Sequence, residues 1–217
     1  MLPLEDSFRG RMRPIFLLAA LAACSDGDQY TYQGQPMYDY FPLDGSERSW
    51  SYSQDDESIE YFLYIEMVKP SRTVDDMEVV PLETTRSDTK ELVSTTEWSS
   101  DTRNGIIIHS FALGTKAATA FDPPIVFADD EMAAGDTVET VTNAGTFTST
   151  FISLEDCPNH WVPGTDSDPW TCVHVNLDGP GLGFEGDYWL APRYGTALFQ
   201  RIQDPDKWNL LQAIWEK

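Results

Sequence analysis

The stretch Ser58-Ile59-Glu60-Tyr61-Phe62-Leu63-Tyr64-Ile65-Glu66-Met67-Val68-Lys69 decides the fold class. Its odd positions, Ile59, Tyr61, Leu63, Ile65 and Met67, are all apolar, whereas Ser58, Glu60 and Glu66 stand among the even ones. Successive side chains leave a strand on opposite sides, so a period of two over this length predicts a long strand with one buried face. The expectation is that the odd residues face the core.

Working outward, the same period recurs where Thr171, Val173, Val175 and Leu177 alternate with Cys172, His174 and Asn176. An opening strand over 48–53 places Trp50 and Tyr52 on one face, after the turn Pro42-Leu43-Asp44-Gly45. Further strands are predicted over 77–85 and 90–99. Asn104-Gly105 then signals a hairpin into Ile106–Phe111. Residues 136–142 and 146–154 flank Asn143-Ala144-Gly145 as another hairpin, and 187–190 and 197–202 follow the glycine-rich loop 179–183. Phe121-Asp122-Pro123-Pro124 excludes a central strand, and 129–134 reads as a helical turn. Trp208, Leu211 and Trp215 have helical spacing, but Trp208-Asn209-Leu210 continues the hairpin rhythm, so the end reads as a strand. The plan is all-β and antiparallel, with about ten strands and little helix.

The N-terminus reads differently. Arg9, Arg11 and Arg13 precede an apolar run over 14–23 that ends on small residues. That is the layout of a secretory signal, and the run is shorter than the ~20 residues a membrane span needs. Leu21-Ala22-Ala23-Cys24 resembles the lipobox of bacterial lipoproteins, which implies acylation (palmitate among the chains) at Cys24. Residues 1–23 are then a signal peptide, 24–37 a lipidated polar tether, and 38–217 a single antiparallel β domain. Ser25 after the cysteine resembles an outer-membrane sorting signal, so the expected location is the cell envelope, at the outer rather than the inner membrane.

Charge narrows the partners. The chain has 217 residues with 14 Lys and Arg against 36 Asp and Glu, a net charge of −22. Losing 1–23 removes three Arg, Glu5 and Asp6, leaving 11 basic and 34 acidic residues and net −23. Such a surface repels phosphate backbones, so nucleic acid is not an expected partner. Anionic head groups are repelled as well, so membrane attachment would run through the acyl chains. No EF-hand loop is present to turn the acidity into calcium binding.

With Cys24 set aside, Cys157 and Cys172 remain, and in an exported protein an even remainder reads as a disulfide. The alternative is a tetrahedral metal site from Cys157, His160, Cys172 and His174. No Gly-x-Ser-x-Gly or His-Glu-x-x-His is present, so no catalytic residue is nominated and no cofactor is expected. Most tryptophans read as core. Trp161 and Trp170 lie in the polar loop 156–170 and are, with Trp50 and Trp189, the candidates for ligand or partner contact.

Pro42-Leu43, Gly45 and Trp50-Ser51-Tyr52 resemble the P-L-x-x-G-x-x-W-x-Y opening of a group of bacterial lipoproteins. Pro123-Pro124, Gly135-Asp136-Thr137-Val138 and Trp189-Leu190-Ala191-Pro192-Arg193-Tyr194-Gly195 follow in that group's order. The group is similar to exported proteins of the DUF3108-like type and to the lipoprotein-carrier fold. That resemblance implies one strongly curved sheet, a half-barrel or open barrel, and supplies no catalytic residues. The expected function is a lipid-anchored, non-catalytic binding or accessory module for a lipid, a glycan or an envelope protein. A purely structural spacer is the alternative, and a hydrolase the third.

Overall fold

The computed structural model describes residues 37–41, 43, 48–55, 62–129, 132–157, 171–192, 195–202 and 208–216, of which 38, 48–55, 62, 63 and 208–216 are described by their backbone alone. A 3-10 turn, Met37–Tyr40, precedes thirteen strands. They are β1 Arg48–Asp55, β2 Phe62–Val68, β3 Arg72–Val74, β4 Met77–Arg86, β5 Leu92–Asp101, β6 Gly105–Leu113 and β7 Thr119–Ala128, followed by β8 Thr137–Thr142, β9 Gly145–Asp156, β10 Thr171–Asp178, β11 Gly186–Ala191, β12 Gly195–Arg201 and β13 Trp208–Glu216. The protein is all-β and antiparallel. The expected signal, Cys24 and the expected tether up to residue 36 lie outside the described residues, as do Trp161, Trp170 and His160, whereas Met37, expected in the tether, is fully buried.

Local chemistry sets the boundaries. Asp75 and Asp76 both adopt positive φ, 48° and 63°, and close the β3–β4 hairpin with the backbone twist a two-residue turn favours. Between β5 and β6, Asp101 Oδ1 accepts from the amides of Arg103 (2.7 Å) and Asn104 (2.8 Å), and Gly105 at φ 71° re-enters the ladder opposite Asp101. Thr142 Oγ1 accepts from Ala144 N at 3.0 Å and donates to Gly145 O at 3.0 Å, which closes the β8–β9 turn. Pro81, without an amide donor, sits opposite the break where β2 gives way to β3.

The hydrogen-bonded order is β7-β6-β5-β4-β2-β1-β13-β12-β11-β10-β9-β8, with β3 paired to β4 alone. Apart from β3, neighbours follow one another in sequence except for β1 and β13, which join across eight register pairs from Arg48↔Glu216 to Asp55↔Trp208. The ladder breaks between β7 and β8, yet the two edges meet. Val126 N donates to Thr140 Oγ1 (3.2 Å), Asp122 N to Asn143 Oδ1 (3.1 Å), and Asn143 Nδ2 to Ala120 O (3.0 Å). Asn143 N donates to Asp122 O at 3.0 Å, and Ser149 Oγ to Phe127 O.

One core cluster gathers residues from both halves of this order. Trp98 of β5 packs edge-on against Phe127 of β7 at 5.3 Å, and Phe127 packs edge-on against Tyr188 of β11 at 5.0 Å. The 3-10 turn contributes the fully buried Met37 and Tyr40, and Phe41 lies 4.6 Å from Trp98. On β10, Val173, Val175 and Leu177 are all fully buried in this cluster, as their alternation predicts.

Two expectations need correction. First, the described residues alone form thirteen strands, against about ten expected. β3 is too short to show a period, and β7 was dismissed on account of Pro123-Pro124. Those prolines are indeed kept from the sheet interior, because β7 is an edge strand. Within the expected helical turn over 129–134, of which 130 and 131 lie outside the described residues, Met132 N donates to Asp129 O at 3.3 Å before the chain enters β8. Second, the face of β2 is reversed. Val68 joins the core and Tyr64 packs on it, while Ile65 and Met67 are half-buried on the other side. Leu63 is described by its backbone alone, and Ile59 and Tyr61 lie outside the described residues.

Candidate functional site

The reversal of β2 turns Tyr64 and Glu66 towards the interior, where a cavity of about 140 Å³ opens into a wider recess. One wall comes from β2, β4, β5 and β6 with Glu66, Leu82, Thr84, Ser94, Thr96, Trp98 and Phe111. The other comes from the 183–184 loop, β11 and β12 with Phe184, Tyr188, Thr196, Phe199 and Arg201. Phe41 closes it from the 3-10 turn. Four aromatic rings are drawn together around it, with Phe41 4.6 Å from Trp98 and Phe184 4.7 Å from Phe111.

The loop bearing Phe184 is held by a buried carboxylate. Glu185, 3% exposed, accepts from the amides of Gly181 (2.9 Å), Leu182 (2.6 Å), Gly183 (2.7 Å) and Phe184 (3.1 Å). Four converging N–H groups satisfy the carboxyl oxygens where water is excluded. Tyr188 donates its hydroxyl to Phe184 O, and burial pushes its ionisation far upward, so it stays a neutral donor. Gly186 comes next because a Cβ there would lie 2.1 Å from Gln200 O on β12.

On the opposite face of β10–β12 a second constellation forms. Cys157 and Cys172 are joined in a disulfide with Cα atoms 4.8 Å apart. The bridge packs with Trp189, Ala191 and Leu198 in a satellite cluster. His174 stacks on Trp189 with centroids 4.1 Å apart and planes 19° from parallel. Its Nε2 donates to Asp187 Oδ1 at 2.9 Å, and Nδ1 lies 3.5 Å from Glu155 Oε1. Asn176 Nδ2 also donates to Asp187 (3.0 Å), Ser153 Oγ donates to Glu155 (2.8 Å), and Trp189 Nε1 donates to Glu155 Oε1. The hydrogen bond from His174 holds the Asp187 carboxyl below its ordinary value against burial. Burial pushes Glu155 up, but Trp189, Ser153 and the His174 charge together bring it below its ordinary value.

The sequence candidates therefore divide. Cys157, Cys172, His174 and Trp189 come together, on the outer face and away from the cavity. With both sulfurs in the disulfide, the tetrahedral alternative lacks its thiolates, and His174 is bound to carboxylates. Trp189, 8% exposed, is sealed in its cluster rather than presented as a contact surface. Trp50 is described by its backbone alone, as the register partner of Glu66 on β2 and of Ile214 on β13. His109 Nε2 lies 2.8 Å from Ser99 Oγ; burial lowers the affinity of His109 for a proton, and Ser99 is 2% exposed, so this Ser–His pair offers a substrate no approach.

The cavity residues Tyr64, Glu66, Thr84, Ser94, Thr96 and Phe184 were missed by reading the sequence. A signal existed: Tyr64 and Val68 supply an apolar even face as good as the odd one. Among the described residues no group of His, Cys, Asp or Glu is arranged to hold a metal ion, and no helix is long and apolar enough to cross a membrane. The fold and site define an all-β protein with an aromatic interior cavity. Compared with known proteins, the chain matches no family model, no curated protein and no solved structure.

Proposed function

We propose that this protein is a lipid-anchored binding module of the bacterial envelope, held at the outer membrane through Cys24, whose interior cavity receives a small amphiphilic ligand. The single observation that carries the reading is the aromatic cavity where a filled sheet interior would leave none. An apolar recess with a few polar groups at its mouth is the ordinary design of a ligand site. The sheet is read as one strongly curved half-barrel, supported by the ring contacts from β5 through β7 to β11 and by the meeting of the β7 and β8 edges. The lipoprotein resemblance at Cys24 and in the strand motifs supports the anchor.

Native mass spectrometry of the protein purified from its own membranes tests the ligand. A bound small molecule released on activation is expected; protein found only ligand-free, with a stable protein partner on crosslinking in cells, would favour the spacer reading instead. For the anchor, Cys24→Ala is expected to give unprocessed or mislocalised protein with an unchanged folded domain. A variant still processed and membrane-bound would remove the anchor.

A further inference from the structure

We infer that the cavity selects a cationic amphiphile with a ring-sized apolar end, an aromatic or cyclic amine, and discriminates against anionic amphiphiles such as fatty acids. The inference rests on the binding reading above and deepens it. It starts from the register of the wall. Glu66 pairs with Thr84, and Thr84 with Ser94. Two residues along the strands, Val68 pairs with Leu82, Leu82 with Thr96 and Thr96 with Phe111. Two further on, Val80 pairs with Trp98 and Trp98 with Ile108.

Directly paired residues share a face and stand about 5 Å apart. The wall is thus graded in three rows over about 14 Å, from polar through mixed to apolar, at ~3.4 Å per residue. A ligand meeting that gradient points its apolar end at Trp98 and its hydrogen-bonding head at Glu66, Thr84 and Ser94. Size limits the apolar end. The cavity of about 140 Å³ is close to the ~150 Å³ that holds a benzene ring in an apolar protein interior. The rings of Phe41, Trp98, Phe111 and Phe184 offer edges and faces to a flat group.

Charge chooses the head. Glu66 stands half-buried on the wall, whereas Arg201, the cation among the described lining residues, is exposed. A charge in a partly water-excluded site acts with a lower effective dielectric than one in solvent, so the carboxylate outweighs the guanidinium. Glu66 is already engaged within the protein, but a carboxylate has about four acceptor sites. The net charge of −22 raises the local concentration of cations in the same direction.

The test uses three probes of one shape: 4-phenylbutylamine, 4-phenylbutanol and 4-phenylbutyrate. Each is titrated calorimetrically into the full chain carrying Cys24→Ala, at neutral pH and about 0.5 M salt. The Debye length is then about 4 Å, so the general field of the protein is screened. The amine is expected to bind about tenfold or more tightly than the butyrate, with the alcohol between them. Glu66→Gln, with its fold checked by circular dichroism, is expected to bring amine and butyrate within about twofold. Thr96→Phe, placed in the middle row, is expected to abolish amine binding. Butyrate binding as tightly as amine, a ratio unchanged by Glu66→Gln, or amine binding that survives a folded Thr96→Phe would each overturn the charge selection. Failure of all three probes to bind the folded protein would instead remove the cavity reading on which it rests.

Discussion

Asp187 illustrates how single residues hold this sheet on its outer side. It accepts from His174 at 2.9 Å and Asn176 at 3.0 Å, so one carboxylate ties two side chains of β10 to β11. Its folded-state proton affinity is depressed, chiefly by the His174 hydrogen bond. A depressed carboxyl contributes stability that is present above its unfolded value, near 3.9, and is lost as pH falls through the lower folded value. Asp187→Asn is therefore expected to cost about 1–3 kcal/mol near neutral pH, with the deficit shrinking as the pH falls below about 4. Urea unfolding of both proteins across that range measures it, and a deficit constant with pH would contradict the ionised-acceptor role. Glu185 is the inner counterpart, a carboxylate whose four amide donors shape the loop that carries Phe184 to the cavity.

Among the elements, the β7–β8 seam is where the ladder gives way to side chains. Asn143 makes three of its bonds, two through the amide side chain and one through its own N–H. Asn143→Ala removes the two side-chain bonds and is expected to cost about 1–2 kcal/mol. The amide of Asp122, which donates to that side chain, should then exchange faster with deuterium than in the parent; unchanged exchange there would show that the seam is held by other contacts. Much of this element scale could be read in advance. β4, β5, β6, β8, β9, β10 and β11 fall where turn residues and alternation place them. β3 escaped because three residues carry no period, and β7 because Pro123-Pro124 argues against a central strand without distinguishing an edge from a loop. The face of β2 escaped for a deeper reason: Phe62 to Val68 is apolar at nearly every position, so parity alone cannot choose, and a cavity rather than a packed core tolerates Glu66 inside. For the same reason the cavity was illegible, since it arises from rows aligned across β2, β4 and β5. Trp189, a candidate for ligand contact, and His174, a candidate metal ligand, were legible as residues but not as a stacked pair.

At the scale of the whole molecule, the disulfide closes a separation of 15 residues beside the fully buried Cys172. In the chain-entropy model such a closure stabilises by about 3 kcal/mol. Reduction is expected to lower the unfolding free energy by about that amount while far-ultraviolet circular dichroism keeps its strand signal. A collapse of that signal would mean that the bridge is a condition for the sheet rather than a support for it. Another whole-molecule property follows from β1, which pairs with β2 along one edge and, across eight register pairs, with β13 along the other. A chain that emerges N-terminus first, from a ribosome or through a translocation pore, carries β1 without its β13 partner until 208–216 are out. Loop closure between such distant segments comes late by topology. The order of the strands thus acts as a timer: the sheet reaches its final form only after β1 and β13 have been delivered to one compartment.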